Sequence, residues 1–213
     1  MAKQRLPRVP DEVLEQIYNT LCEFGCARRK ALSRYAQRAI IDSPYLTDEE
    51  KVNTEAFAEK AMQELANDKR ISVVKYANEK VALPFRASEI KFETMDAFEV
   101  FVALVEELGK DKISSAFCHA GIGGHPFDFV FSVPKALYRV IVYNSDALSK
   151  INFSNATYSA AKEAAYITLI IFTEAYAAED PGNLNVRGKY RLALITQEGK
   201  DRSCFISDVV EGE

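Results

Sequence analysis

The chain is poor in the residue types that build catalytic and metal centres. Its 213 residues include two histidines and four cysteines. Cys22, Cys26, Cys118 and Cys204 form no C-x-x-C pair and no dense framework. This argues against a disulfide scaffold and for mostly buried thiols in a reducing cytoplasm. No G-x-S-x-G elbow occurs, and a Ser-His-Asp triad would have to draw on His119 or His125, which nothing supports. No apolar run approaches the roughly 18 residues of a membrane-spanning helix. The opening MAKQRLPRVP is charged without an apolar core, so no secretory signal is expected. The Asn-x-Ser/Thr matches at Asn152 and Asn155 then carry no glycosylation meaning. No repeat with a period of about 20–50 residues occurs, which excludes a solenoid. An excess of positive charge is also lacking. The formal net charge is -4, so the chain as a whole is not a basic nucleic-acid binder.

What is present is material for a folded core. The 48% hydrophobic and 11% aromatic content is that of a globular chain, and the length fits one large or two small domains. Charge is uneven. Residues 1–90 carry 15 Lys+Arg against 14 Asp+Glu, and residues 91–213 carry 12 against 17, so the acidity lies in the second half.

The first half reads as three helices and a hairpin. Asp11 and Glu12 place acids where a helix dipole favours them. Val13, Leu14, Ile17, Tyr18, Leu21 and Phe24 then repeat at helical spacing up to Gly25, a natural terminator. Residues 28–41 form a second helix or pair of turns, with Leu32, Tyr35, Ala36 and Ala39 on the buried side. Thr47 followed by Glu50 is a capping box that opens a third helix running to about residue 67, with Val52, Phe57, Ala61, Met62 and Leu65 as its apolar side. Residues 70–85 read as a β-hairpin with Asn78-Glu79 near the turn. Three helices followed by a hairpin is the order of a winged helix.

The second half is organised around residues 126–144, PFDFVFSVPKALYRVIVYN, two strands rich in aromatic and β-branched residues joined at Pro134-Lys135-Ala136. A link over residues 86–93 and a helix over 94–109 precede it, followed by a short strand at 113–119 and a glycine-rich loop at 121–124. A long helix is expected over residues 158–178. It contains Tyr166–Phe172, apolar on nearly every side, as the packing helix of the domain or the seam of a homodimer. Strands at 190–196 and 203–209 complete an order of helix, three strands, helix, two strands.

That order resembles the core of the restriction-endonuclease-like fold. Active members of that fold hold a divalent metal with an acid at the start of the second strand and an acid-x-lysine on the third. Pro126-Phe127-Asp128 fits the first position with one inserted residue. The third strand, Tyr138-Arg139-Val140-Ile141-Val142-Tyr143, has neither acid nor lysine, with Ile141 and Tyr143 where charge belongs. A winged helix followed by a degenerate nuclease-like domain resembles the replication-relaxation family of plasmid and mobile-element proteins. The resemblance covers about residues 10–210 and implies a DNA-associated protein.

Several clusters carry competing readings. Arg28, Arg29, Lys30, Arg34 and Arg38 are five cations without an intervening acid, suited either to DNA phosphates or to pairing with the third helix. That third helix carries Asp48, Glu49, Glu50, Glu55, Glu59 and Glu64, a poor major-groove reader. Lys75 and Lys80 are either wing contacts or solubilising charges. Cys118, His119, His125 and Asp128 could be zinc ligands, but their spacing matches no ligand pattern, and a buried thiol with surface histidines is the simpler account. Glu106 and Glu107 diverge on a helix and read as a solvated face.

The expectation is therefore a cytoplasmic α+β protein of two domains. Residues 10–87 would be winged-helix-like, and residues 92–213 a degenerate nuclease-like α/β domain. Its function would be non-enzymatic, as a DNA-binding or regulatory protein of a mobile element, without cofactor, metal or membrane association. Arg28, Arg29, Lys30, Arg34 and Arg38 would contact duplex DNA. The alternatives are a protein–protein adaptor and a metal-dependent nuclease using Asp128 with a second acid such as Glu106.

Overall fold

The first helix, α1 (Asp11–Phe24), ends where its sequence says it should. Gly25 adopts φ 81°, and its amide donates to the Leu21 carbonyl at 2.7 Å. A Cβ at Gly25 would meet nothing within 4 Å, so backbone conformation rather than space calls for glycine. The structure, a computed structural model, describes residues 8–109, 113, 115–118, 127–133, 136–160, 166–173, 184–198 and 201–212. The chain divides into two compact units, Met1–Met95 and Asp96–Glu213, each mixing helix and sheet.

In the first unit, α1 buries Val13, Leu14, Ile17, Leu21 and Phe24. Helix α2 (Arg29–Ile41) packs beside it through Leu32, Tyr35, Ala36, Ala39 and Ile40. The buried Tyr35 hydroxyl accepts from Gln16 Nε2 at 3.0 Å and pairs with Thr20 Oγ1 at 2.9 Å, so the α1–α2 seam holds no unsatisfied phenol. The Thr47–Glu50 capping box forms, with the Thr47 amide donating to Glu50 Oε2 at 2.8 Å. It opens a 3-10 turn (Glu50–Asn53) rather than the third helix. Helix α3 (Thr54–Asn67) starts later, capped by Asn53 Oδ1 accepting from the Ala56 amide. Val52, expected on the apolar side, is therefore 85% exposed.

A two-residue strand, β1 (Ala27–Arg28), lies between α1 and α2. It pairs with β3 (Glu79–Pro84), which pairs with β2 (Ile71–Tyr76), giving the antiparallel order β1-β3-β2. Ala77 (φ 46°) and Asn78 (φ 66°) make the two-residue turn of this hairpin, one position earlier than the sequence suggested. Two left-handed residues give the turn the twist of its flanking strands.

The second unit is a mixed sheet with a helix on each face. Helix α4 (Phe92–Leu108), whose first turn belongs to the first unit, precedes an antiparallel meander of β4 (Ser115–Cys118), β5 (Phe129–Val133) and β6 (Ala136–Val142). Helix α5 (Ala147–Ala160) follows, then β7 (Tyr166–Phe172), β8 (Gly188–Glu198), β9 (Asp201–Ile206) and β10 (Val210–Gly212). The order is β10-β8-β7-β6-β5-β4, with β9 also on β8. β7 runs parallel to both β6 and β8.

The helix expected over residues 158–178 is thus corrected. A helix ends at Ala160, and Tyr166–Phe172 is a central strand. Its Leu169, Ile170 and Ile171 are fully buried, alternating between two covered faces. A continuous run rich in β-branched residues suits a parallel strand buried on both sides, and hydropathy alone does not separate this from a buried helix. The reading of this segment as a helical dimer seam falls with it.

Strand alternation sorts the faces. Phe131 meets Phe101 of α4 edge-on at 5.4 Å, and Arg191 of β8 reaches Glu107 of α4 at 3.0 Å. On the opposite face Thr168 of β7 bonds Ser154 of α5 at 2.8 Å, and Ala147 and Ile151 of α5 pack on Ile141, Ile170 and Phe172.

Candidate functional site

The five cations proposed from sequence do not form one free surface. Arg28 sits in β1, where pairing with Val81 fixes its backbone. It is 4% exposed, and its Nε donates to Glu79 Oε2 at 3.0 Å across the sheet. Arg29 pairs with Glu59 of α3, which also accepts a hydrogen bond from Ser33. Arg38 pairs with Asp42 one turn on, at 2.9 Å. Lys30 is exposed and Arg34 half-buried. So Arg28, Arg29 and Arg38 each meet a carboxylate, and in Arg29 the cluster does meet the acids of the third helix. Their partners Glu59 and Glu79 are 30 and 51 residues away in sequence, out of reach of local pattern reading.

The hairpin presents a different basic feature. Lys75 of β2 lies directly opposite Lys80 of β3, and both are exposed. Cross-strand neighbours have Cβ atoms about 5 Å apart, and like charges so placed repel one another. The adjacent carboxylate, Glu79, already takes the Arg28 guanidinium. The exposed end of the hairpin therefore concentrates two ammonium groups.

In the second unit, Asp128 stands at the entrance to β5, with its amide donating to the Val140 carbonyl at 3.0 Å. Its carboxylate accepts from the Val142 amide at 2.8 Å and from Lys150 Nζ of α5 at 2.9 and 3.1 Å. Ile141 and Tyr143 belong to an apolar cluster with Phe127, Ala147, Ile151, Ile170, Phe172 and Val186. Strand pairing thus surrounds Ile141 and Tyr143 with hydrocarbon and aromatic side chains. Glu106 is carried by α4, which packs on the face of the sheet opposite α5 and Lys150. Lys150 was not singled out from sequence, because nothing local links a helix lysine to an aspartate 22 residues earlier.

Beside Asp128, an aromatic group surrounds a cation. Phe127 meets Phe153 of α5 at 6.0 Å, edge to face. The Arg139 guanidinium lies 4.0 Å from the Tyr166 ring centre and 5.3 Å from that of Phe127. Burial pulls Arg139 below its ordinary pKa, opposed by the neighbouring Tyr166 hydroxyl. The spacing of these residues gave no sign of the cluster, which exists because Leu137 pairs with Tyr166 across two parallel strands.

Cys118 lies in β4, while His119, His125 and the glycine-rich loop at 121–124 fall outside the described residues. Among the described residues no group of three or more His, Cys, Asp and Glu is arranged to hold a metal. None of the described helices is long and apolar enough to cross a membrane. No protein-family model matches the chain, and no curated protein matches it in sequence.

Proposed function

We propose that the chain is a non-enzymatic DNA-binding or regulatory protein of a bacterial mobile element, acting in its replication or maintenance. Duplex DNA is the partner of its first unit. The observation that carries this reading is Lys75 opposite Lys80 on an exposed hairpin, in a unit of three helices with strand order β1-β3-β2. That arrangement supports a winged-helix assignment, in which the strand between the first two helices closes the sheet and the hairpin is the wing. Two adjacent ammonium groups suit phosphate oxygens, and such contacts position a protein on DNA without reading sequence. The acidic α3 supports backbone contact by the wing rather than a helix in the major groove. Of the five residues expected to touch DNA, Arg28, Arg29 and Arg38 each hold a carboxylate.

The meander β4-β5-β6, helix α5 and parallel strand β7 support the assignment of the second unit to a restriction-endonuclease-like core. The burial of Ile141 and Tyr143 supports its being a degenerate one. Titration of a labelled duplex at low salt tests the function, with Lys75→Glu/Lys80→Glu as the variant. Binding that the variant loses agrees with the proposal, and failure of the parent to bind sinks it in favour of a protein adaptor.

Lys150 gives a second reading its one specific support. An acid with a lysine at hydrogen-bond distance is half of a metal-dependent nuclease site. Plasmid cleavage with magnesium or manganese, lost in both Asp128→Ala and Lys150→Ala, would establish that reading instead.

A further inference from the structure

On the α5 face of the second unit, Phe153 of α5 and Arg139 of β6 both contact the Phe127 ring, and Tyr166 of β7 contacts Arg139. Phe153 projects from α5, is 39% exposed, and is braced edge-on by the buried Phe127. Arg139 on β6 is half-buried and held over two rings, Tyr166 on the neighbouring strand and Phe127 below. A guanidinium stacked in this way keeps a fixed plane, with its N–H donors directed in that plane. An aromatic ring that is partly exposed yet braced has already lost most of the freedom that a ligand would have to freeze. A partly exposed ring and an oriented guanidinium that both rest on the Phe127 ring offer what a nucleotide strand needs, a surface for a base and a donor for its phosphate.

We propose that this patch binds single-stranded nucleic acid, with an unstacked base on Phe153 and the adjoining phosphate at Arg139, oriented by Tyr166. A duplex does not fit the role, because its bases are stacked and paired and offer no free face to a ring. The proposal rests on the reading of the chain as DNA-associated and assigns to the second unit a strand-holding role distinct from the duplex contact of the first. A mobile-element protein with both surfaces would engage DNA that has been locally opened.

The test is fluorescence anisotropy with a labelled oligothymidylate of about 16 nucleotides, within the range one such surface covers. A labelled duplex is titrated in parallel. The parent binds the oligonucleotide, and Phe153→Ala weakens that binding by about 5- to 100-fold while leaving duplex binding unchanged. Phe153→Trp, which keeps a stacking surface, restores or exceeds the parent affinity. Arg139→Gln lowers the slope of log affinity against log salt by about 0.7, the value of one phosphate contact on a single strand. Oligonucleotide affinity that is indifferent to Phe153→Ala overturns the inference. A parent that binds duplex but no oligonucleotide overturns it while the proposed function stands. A parent that binds neither overturns both.

Discussion

Lys150 Nζ lies 2.9 Å from one carboxylate oxygen of Asp128 and 3.1 Å from the other, while the Val142 amide donates to the second. The side chains are 13% and 23% exposed, so this is a half-buried ion pair that fastens α5 to the junction of β5 and β6. Asp128→Ala removes the acceptor of a backbone amide and leaves the ammonium without its counter-charge. A loss of about 2–3 kcal/mol in urea unfolding is expected. Asp128→Asn keeps the amide acceptor and should cost less. A variant as stable as the parent would show that the pair contributes nothing to folding.

The five cations once grouped together should separate by mutation. Arg28 is buried against Glu79, so Arg28→Ala removes a buried guanidinium together with its ion pair and is expected to cost about 3 kcal/mol. Lys30, two residues on and exposed, should cost within about 0.5 kcal/mol as alanine. Thermal unfolding of the two variants checks this, and equal effects would contradict the burial difference.

Ile170 is fully buried in the central strand β7. Ile170→Ala should lower stability by about 2–5 kcal/mol. Hydrogen exchange should find the β7 amides among the slowest of the second unit, and fast exchange there would contradict a central strand.

Much of this architecture was legible in the sequence, and the exceptions have physical causes. Gly25, the Asp11-Glu12 start and the hairpin at residues 70–85 are local signals, and each formed within a residue or two of its expected place. Tyr166–Phe172 differs from its sequence expectation because an apolar run in a doubly covered strand has no period to distinguish it from a buried helix. The Thr47–Glu50 box forms as a cap, but it caps a 3-10 turn, and Asn53 takes over for the α-helix. The site residues were harder. Local sequence does not show that Arg28 is taken, because its partner Glu79 comes from a strand 51 residues later, and Lys150 is likewise 22 residues from Asp128. Composition shows charge, but pairing across a fold decides which charges are free to meet a ligand.

The Thr47–Glu50 box also has a pH signature. Hydrogen bonds from the Thr47 amide and hydroxyl hold the Glu50 carboxyl below its ordinary pKa. A carboxyl depressed in the folded state stabilises the turn above its unfolded pKa, and that contribution disappears as pH falls through the folded value. In an NMR titration, Glu50 should have a midpoint below the ordinary glutamate value, and Thr47→Ala should move it upward. A midpoint unaffected by Thr47→Ala would remove the Thr47 hydroxyl as a cause and leave the amide alone to account for the shift.

Duplex affinity measured across a salt series tests the proposed DNA contact most directly, with the parent and Lys75→Glu/Lys80→Glu compared on the same probe. The expected result is binding at low salt that weakens steeply as salt rises. In the variant, affinity should fall at least about tenfold and the log–log slope should drop by about 1.8, the value of two phosphate contacts. A parent that is not retained on duplex at low salt, or a variant with unchanged affinity and slope, would contradict it.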